Sequence, residues 1–91
     1  MATDQKHFDL LVERGPTILV KVIQVITRRR VPIHSLLATR YPGDPTRGRI
    51  KIVLETDDER ARLVLQQLKK LVDVLEIANT TEQPAPFKRL Y

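Results

Sequence analysis

The chain contains no cysteine, no tryptophan, one methionine and three glycines, and its only aromatic residues are Phe8, Tyr41, Phe87 and Tyr91. Without cysteine there are no disulfides, thiolate nucleophiles or thiolate metal sites, a composition that suits a reducing compartment. No apolar run approaches the roughly 18 consecutive residues that a membrane span needs. The start, Met1 to His7, lacks the charged-then-apolar pattern of a secretion signal. A cytoplasmic protein with no membrane contact is expected. Catalytic signals are also missing: His7 and His34 stand without a nucleophile motif, an H-E-x-x-H spacing or a glycine-rich phosphate loop. Asp57, Asp58 and Glu59 cluster where a helix begins, a position that suits capping better than acid/base work. No enzyme activity and no metal site are expected.

What is present is a readable order of elements. An apolar strand (His7 to Glu13) leads to a helix opened by Gly15-Pro16-Thr17 and closed by Arg28-Arg29-Arg30. A strand (Val31 to Tyr41), a Pro/Gly turn (Pro42 to Gly48), a third strand (Arg49 to Glu55) and a second helix (Asp57 to about Lys70) follow. In Lys69 to Ile77 this helix passes into the last strand with almost no loop. Strand, helix, strand, strand, helix, strand predicts an α+β ferredoxin-like βαββαβ fold, with a four-stranded antiparallel sheet and two helices on one face. The 91 residues suffice for one core and no more. A single domain over residues 1–79 is expected, followed by an extended tail over residues 80–91.

The alternation of side chains fixes the faces. Phe8, Leu10 and Val12 share one side of the first strand, and Ile50, Ile52 and Leu54 one side of the third. Leu11 and Val53 fall on the opposite face, which either carries polar groups or meets another chain. In the first helix Leu19, Val22, Ile23 and Ile26 follow helical spacing, with Val25 widening the stripe. Its β-branched residues lower its intrinsic propensity, so packing must hold it. The second helix buries Ala61, Val64, Leu65, Leu68 and Leu71, and Thr56-Asp57-Asp58-Glu59 has the form of a capping box.

The 16 Lys and Arg against 11 Asp and Glu give a net charge of +5. Basic charge on this fold also describes an RNA-binding module, whose central strands carry stacking aromatics. Here Arg47-Gly48-Arg49-Ile50-Lys51-Ile52-Val53-Leu54 supplies aliphatic residues instead, and nucleic acid is not the expected partner. Arg28 to Arg30 offset the negative end of the first helix.

The first strand-to-helix corner, Glu13-Arg14-Gly15-Pro16-Thr17, is the candidate binding site. Unpaired N–H groups at a helix start can receive a carboxylate. Pro16 has no N–H, so Thr17, Ile18 and Leu19 are the expected donors.

The corner with its helix, Val31-Pro32-Ile33-His34-Ser35-Leu36, and above all Lys70-Leu71-Val72-Asp73-Val74-Leu75 resemble the ACT domain of the small, regulatory subunit of acetolactate synthase (acetohydroxyacid synthase). The likeness covers about residues 6–78. Short length and Pro16-Thr17-Ile18-Leu19 are most similar to the isozyme II small subunit. The resemblance implies a homodimer of side-by-side ACT domains that binds and activates a large catalytic subunit. That subunit is expected to carry thiamine diphosphate, FAD and magnesium, with no cofactor in this chain. It also implies a branched-chain amino acid effector, at residues matching Arg14, Gly15, Pro16, Thr17, Ile18, Pro32 and Ile33. Valine-responsive members carry Asn where Arg14 stands, Gly where Thr17 stands and Asn where Pro32 stands, so weak or absent valine feedback is expected. An ACT domain sensing amino acids for another metabolic enzyme is the alternative of the same fold. In the tail, Phe87, Leu90 and Tyr91, with Lys88 and Arg89, are candidates for anchoring on the catalytic partner.

Overall fold

The computed structural model describes residues 4–81. Its elements run β1 (Asp4–Glu13), α1 (Ile18–Arg28), β2 (Ile33–Arg40), β3 (Arg47–Thr56), α2 (Asp58–Lys69) and β4 (Val74–Asn79). The four strands form one antiparallel sheet in the order β2-β3-β1-β4, as expected from the order of elements. β1 and β3 are central, and β2 and β4 are the free edges. Apart from Thr80 and Thr81, the expected tail lies outside the described residues. Those two continue beside β1: Thr80 N–H donates to the His7 carbonyl at 2.8 Å, and the Thr81 hydroxyl accepts from His7 N–H at 3.0 Å.

The core lies between the sheet and the two helices. Phe8, Leu10 and Val12 from β1 and Ile50, Ile52 and Leu54 from β3 meet Ile18, Val22 and Ile26 of α1 and Ala61, Val64 and Leu68 of α2. The expected alternation holds, and Ile18 joins the buried stripe of the first helix. The opposite sheet face departs from expectation. Val53 is only 5 % exposed and Lys51 8 %. An ion pair roofs this face near them: Arg49 Nε donates to both Asp9 carboxylate oxygens at 3.0 Å, and Nη2 donates to Oδ2 at 2.5 Å. The carboxylate raises the Arg49 pKa above its ordinary value, chiefly through these hydrogen bonds.

Several boundaries differ for identifiable reasons. β2 starts at Ile33 rather than Val31, because Val31 belongs to the end of α1. Arg30 N–H donates to the Thr27 carbonyl at 2.9 Å and Val31 N–H to the Ile26 carbonyl at 3.5 Å, the two bonds of a Schellman cap. Arg30 takes the left-handed conformation this cap requires, with φ of 57°. Glycine usually fills that position, and an arginine there costs about 1 kcal/mol. Val31 is buried against the core. The start of α2 is an Asp57 N-cap, whose carboxylate accepts from Arg60 N–H at 2.8 Å. Thr56 ends β3 and is buried, so the capping-box reading was one residue early and only the Asp half of such a motif exists. Lys70 to Asp73 form a turn between α2 and β4, longer than the direct passage expected. The Asp73 carbonyl accepts Glu13 N–H at 2.8 Å and fastens this turn to β1.

Candidate functional site

A cleft of about 280 Å³ opens where β1 turns into α1, against the far end of β2 and the start of β3. Val12, Ile18, Leu19, Ala38 and Ile50 give it an apolar wall, and the exposed Arg14 and Arg40 stand at its rim; Arg49 also lines it, but its guanidinium is bonded to Asp9 on the opposite face of the sheet. The chain builds it by pairing: Arg40 lies opposite Gly48 and Ala38 opposite Ile50, while Val12 lies opposite Gly48 on the other side. Arg14 is fixed twice by the β2–β3 turn. Its backbone N–H donates to the Thr46 carbonyl and its Nη1 to the Pro45 carbonyl, both at 2.9 Å. The turn is itself stiffened by Asp44, whose Oδ1 accepts from Thr46 N–H at 3.0 Å and from the Thr46 hydroxyl at 2.6 Å. These bonds hold the Asp44 carboxyl below its ordinary pKa, with the hydroxyl bond contributing most.

The structure divides the expected site residues into two groups. Arg14, Gly15 and Ile18 line the cleft. Pro16 and Thr17 are exposed at the helix entry beside it; Thr17 is the N-cap residue but makes no side-chain cap bond. Pro16 therefore precedes the helix rather than standing in its first turn. The first helical hydrogen bond runs from Lys21 N–H to the Thr17 carbonyl at 3.0 Å. The earlier N–H groups, those of Ile18 and Leu19 among them, have no partner within the helix. Pro32 and Ile33 lie at the opposite end of β2, where the Pro32 carbonyl accepts Glu55 N–H at 3.1 Å. At about 3.4 Å per residue, the five-residue step from Ile33 to Ala38 puts roughly 17 Å between that end and the nearest lining residue of the cleft. Within one chain, then, Pro32 and Ile33 do not meet the corner.

Sequence reasoning missed Ala38, Thr39, Arg40, Gly48 and Arg49. They reach the cleft through strand pairing, and their one local signal was the Arg47-Gly48 step before an aliphatic strand. A guanidinium rim over an apolar wall suits an anion that carries a small apolar group. Within the described residues, no three of His, Asp and Glu gather to hold a metal ion, and no helix is long and apolar enough to cross a membrane.

Comparison with known proteins decides the family. The family model described as the ACT domain matches residues 14–77. The chain belongs to the ACT-domain family. Over 73 residues this ACT domain is 34 % identical to a probable acetolactate synthase small subunit of Archaeoglobus fulgidus, covering 80 % of the chain and 45 % of that protein. Among solved structures it is similar to the acetolactate synthase small subunit of Thermotoga maritima, with a TM-score of 0.75 and 25 % identity over 84 % of the chain and 47 % of that structure. The chain thus spans less than half the length of both. The ACT domain of a GTP pyrophosphokinase from Chlorobium tepidum superposes with a TM-score of 0.73 at 9 % identity, a likeness of fold alone.

Proposed function

We propose that this ACT domain is a non-catalytic regulatory subunit that binds and activates the large catalytic subunit of acetolactate synthase, in branched-chain amino acid biosynthesis in the cytoplasm. The observation that carries the reading is the 34 % identity to a probable small subunit of that enzyme over 80 % of the chain. Thiamine diphosphate, FAD and magnesium belong to the catalytic partner in this reading. The segment Pro16 to Leu19 supports assignment to subunits of the isozyme II type.

The reading includes a homodimer. β2 is a free edge, and an edge strand presents unpaired N–H and C=O groups that a second copy can satisfy. If two β2 strands pair antiparallel, Pro32 and Ile33 of one copy come to the Ala38 to Arg40 end of the other, beside its Arg14 corner. The two separated groups of effector residues then complete one site. Such a site is poorly fitted to valine, because Pro32 offers no N–H and Thr17 adds a side chain at the helix entry. Arg14, for its part, already spends one donor on Pro45.

The test is an assay of the large subunit alone, the chain alone and the two together. Activity is expected to be absent from the chain, low for the large subunit and several-fold higher for the mixture. Equal rates with and without saturating chain would remove the proposal.

A further inference from the structure

Away from the cleft, at the other end of the helical layer, Arg28, Arg29, Arg30 and Arg60 surround a depression of about 280 Å³ with Leu63. All four arginines are exposed. Four other cations have carboxylate partners: Lys6 pairs with Asp58, Lys21 with Asp73, Arg47 with Asp44 and Arg49 with Asp9. Arg14, Arg40, Arg62, Lys69 and Lys70 are in no ion pair among the described residues, but only here do four arginines line one depression. Within the described residues, none of the four arginines is within ion-pair distance of a carboxylate. Like charges gathered without partners repel one another, so the patch is a local excess that an incoming acidic group relieves.

A second observation bears on the same place. Arg30 occupies the left-handed cap position of α1 at φ of 57°, where glycine would be unstrained. Its hydrogen bonds at the cap come from the backbone, so the side chain contributes nothing to the turn. Arg28 and Arg29 already supply charge at the negative end of α1, so a strained arginine at position 30 points to a further use for its side chain. All four are arginine rather than lysine, the side chain that binds carboxylates in a planar two-point fork and is enriched at the anchoring points of interfaces.

We infer that this four-arginine patch docks on an acidic surface of the large catalytic subunit; the inference rests on the proposed function. A protein surface fits better than a nucleic acid. Nucleic-acid binding engages a longer track of phosphates and uses stacking aromatics, whereas this patch is compact and carries none. The 11 residues of α1 rise about 1.5 Å each, so the patch stands roughly 16 Å from the cleft on the same rigid element. The partner contact and the effector corner therefore sit at the two ends of α1.

The experiment titrates the full chain into the large subunit of its own cell at about 0.05 M and about 0.5 M salt, conditions that bracket strong and weak screening. The variant Arg28→Gln/Arg29→Gln/Arg60→Gln is expected to bind at least about tenfold more weakly at low salt, with a flatter salt dependence. Arg30→Gly supplies a separate readout. It is expected to raise the melting temperature by relieving the strain while weakening the complex. An arginine with only a structural role would give neither the binding loss nor the altered salt slope. Equal affinity of the glutamine variant and the wild type overturns this surface and leaves the proposed function standing. If the wild type does not bind the large subunit at any salt, both fall. A labelled single-stranded RNA that is held by wild type and released by the glutamine variant, while both bind the large subunit equally, overturns the assignment in favour of nucleic acid.

Discussion

Arg14 donates through Nη1 to the carbonyl of Pro45 at 2.9 Å, so the strand-to-helix corner and the β2–β3 turn form one unit. An effector entering the cleft must compete with this bond or leave it intact. Losing one neutral hydrogen bond costs roughly 0.5 to 1.5 kcal/mol, and a buried group left unpaired about 1 to 3. In the proposed effector site, the combined effect of Arg14, Thr17 and Pro32 is expected to move micromolar binding towards millimolar. In the reconstituted complex, half-inhibition by valine, leucine or isoleucine is expected only above about 1 mM. The variant Arg14→Asn/Thr17→Gly/Pro32→Asn is expected to gain sensitivity. Micromolar inhibition of the wild type would show that the corner tolerates these residues.

The free edge of β2 gives a second prediction. Ile33 and Leu36 pack against the core, so a charge at either would unfold the chain before it could test a dimer. Proline at an edge is a cleaner probe, since it removes one N–H and leaves the side-chain face alone. Backbone N–H groups alternate in direction along a strand, so of Ala38→Pro and Thr39→Pro one removes a bond to β3 and the other a bond at the open edge. Sedimentation is expected to show the second as a folded monomer and the wild type as a dimer. Two folded, dimeric variants would place the contact elsewhere.

Asp57 carries a third. Its carboxylate is the side-chain cap of α2, and replacing such a cap with alanine costs about 1 kcal/mol. For a domain of this size, Asp57→Ala is expected to lower the melting temperature by roughly 4–8 °C. Asp58→Ala serves as the control. That residue is exposed and among the described residues its side chain bonds only to Lys6, so a much smaller change is expected.

The fourth prediction concerns acid. The Asp44 pKa is lowered from 3.8 by the Thr46 hydroxyl and amide bonds. A depressed carboxyl stabilises the folded turn above the unfolded pKa, and that contribution is lost as pH falls through the folded value. The protection of the Thr46 amide, its exchange rate by NMR relative to that of the unprotected amide at the same pH, is expected to hold above pH 3.8 and to fall progressively below it. Thr46→Val removes the hydroxyl bond and keeps the amide bond, so protection there is expected to be lower and its loss to begin closer to pH 3.8.

Local patterns carried most of the fold. The inward rows Phe8, Leu10, Val12 and Ile50, Ile52, Leu54 were legible because strand periodicity is written in adjacent residues. The helix faces were legible for the same reason. Lys51 and Val53 were not, because their burial depends on long side chains from neighbouring strands, including the Arg49–Asp9 pair. The displaced start of β2 came from the Schellman cap, which arginine disguises where glycine would have announced it. Of the residues that line the cleft, Arg14, Gly15 and Ile18 were legible because they are local to the corner. Ala38, Arg40 and Gly48 arrive through strand register, which the sequence does not state. Pro32 and Ile33 were joined to the corner by resemblance, and no single chain brings them there.

The strand order also bears on how the domain is assembled during synthesis. β1 is made first, yet both of its neighbours come later in the chain: Asp4 pairs with Thr56 of β3, and Phe8 with Asn79 of β4. Only β2 and β3 can join as a local hairpin. This central strand must therefore wait, without its strand neighbours beside Phe8, Leu10 and Val12, until β3 has left the ribosome. The sheet closes on its β4 side only when nearly the whole described chain has emerged. Topologies dominated by such distant pairings fold slowly, because the entropy of closing long loops is lost before the contacts form. During that interval the nascent chain carries an apolar strand with two open edges, so the slow step of assembly falls at the end of its emergence.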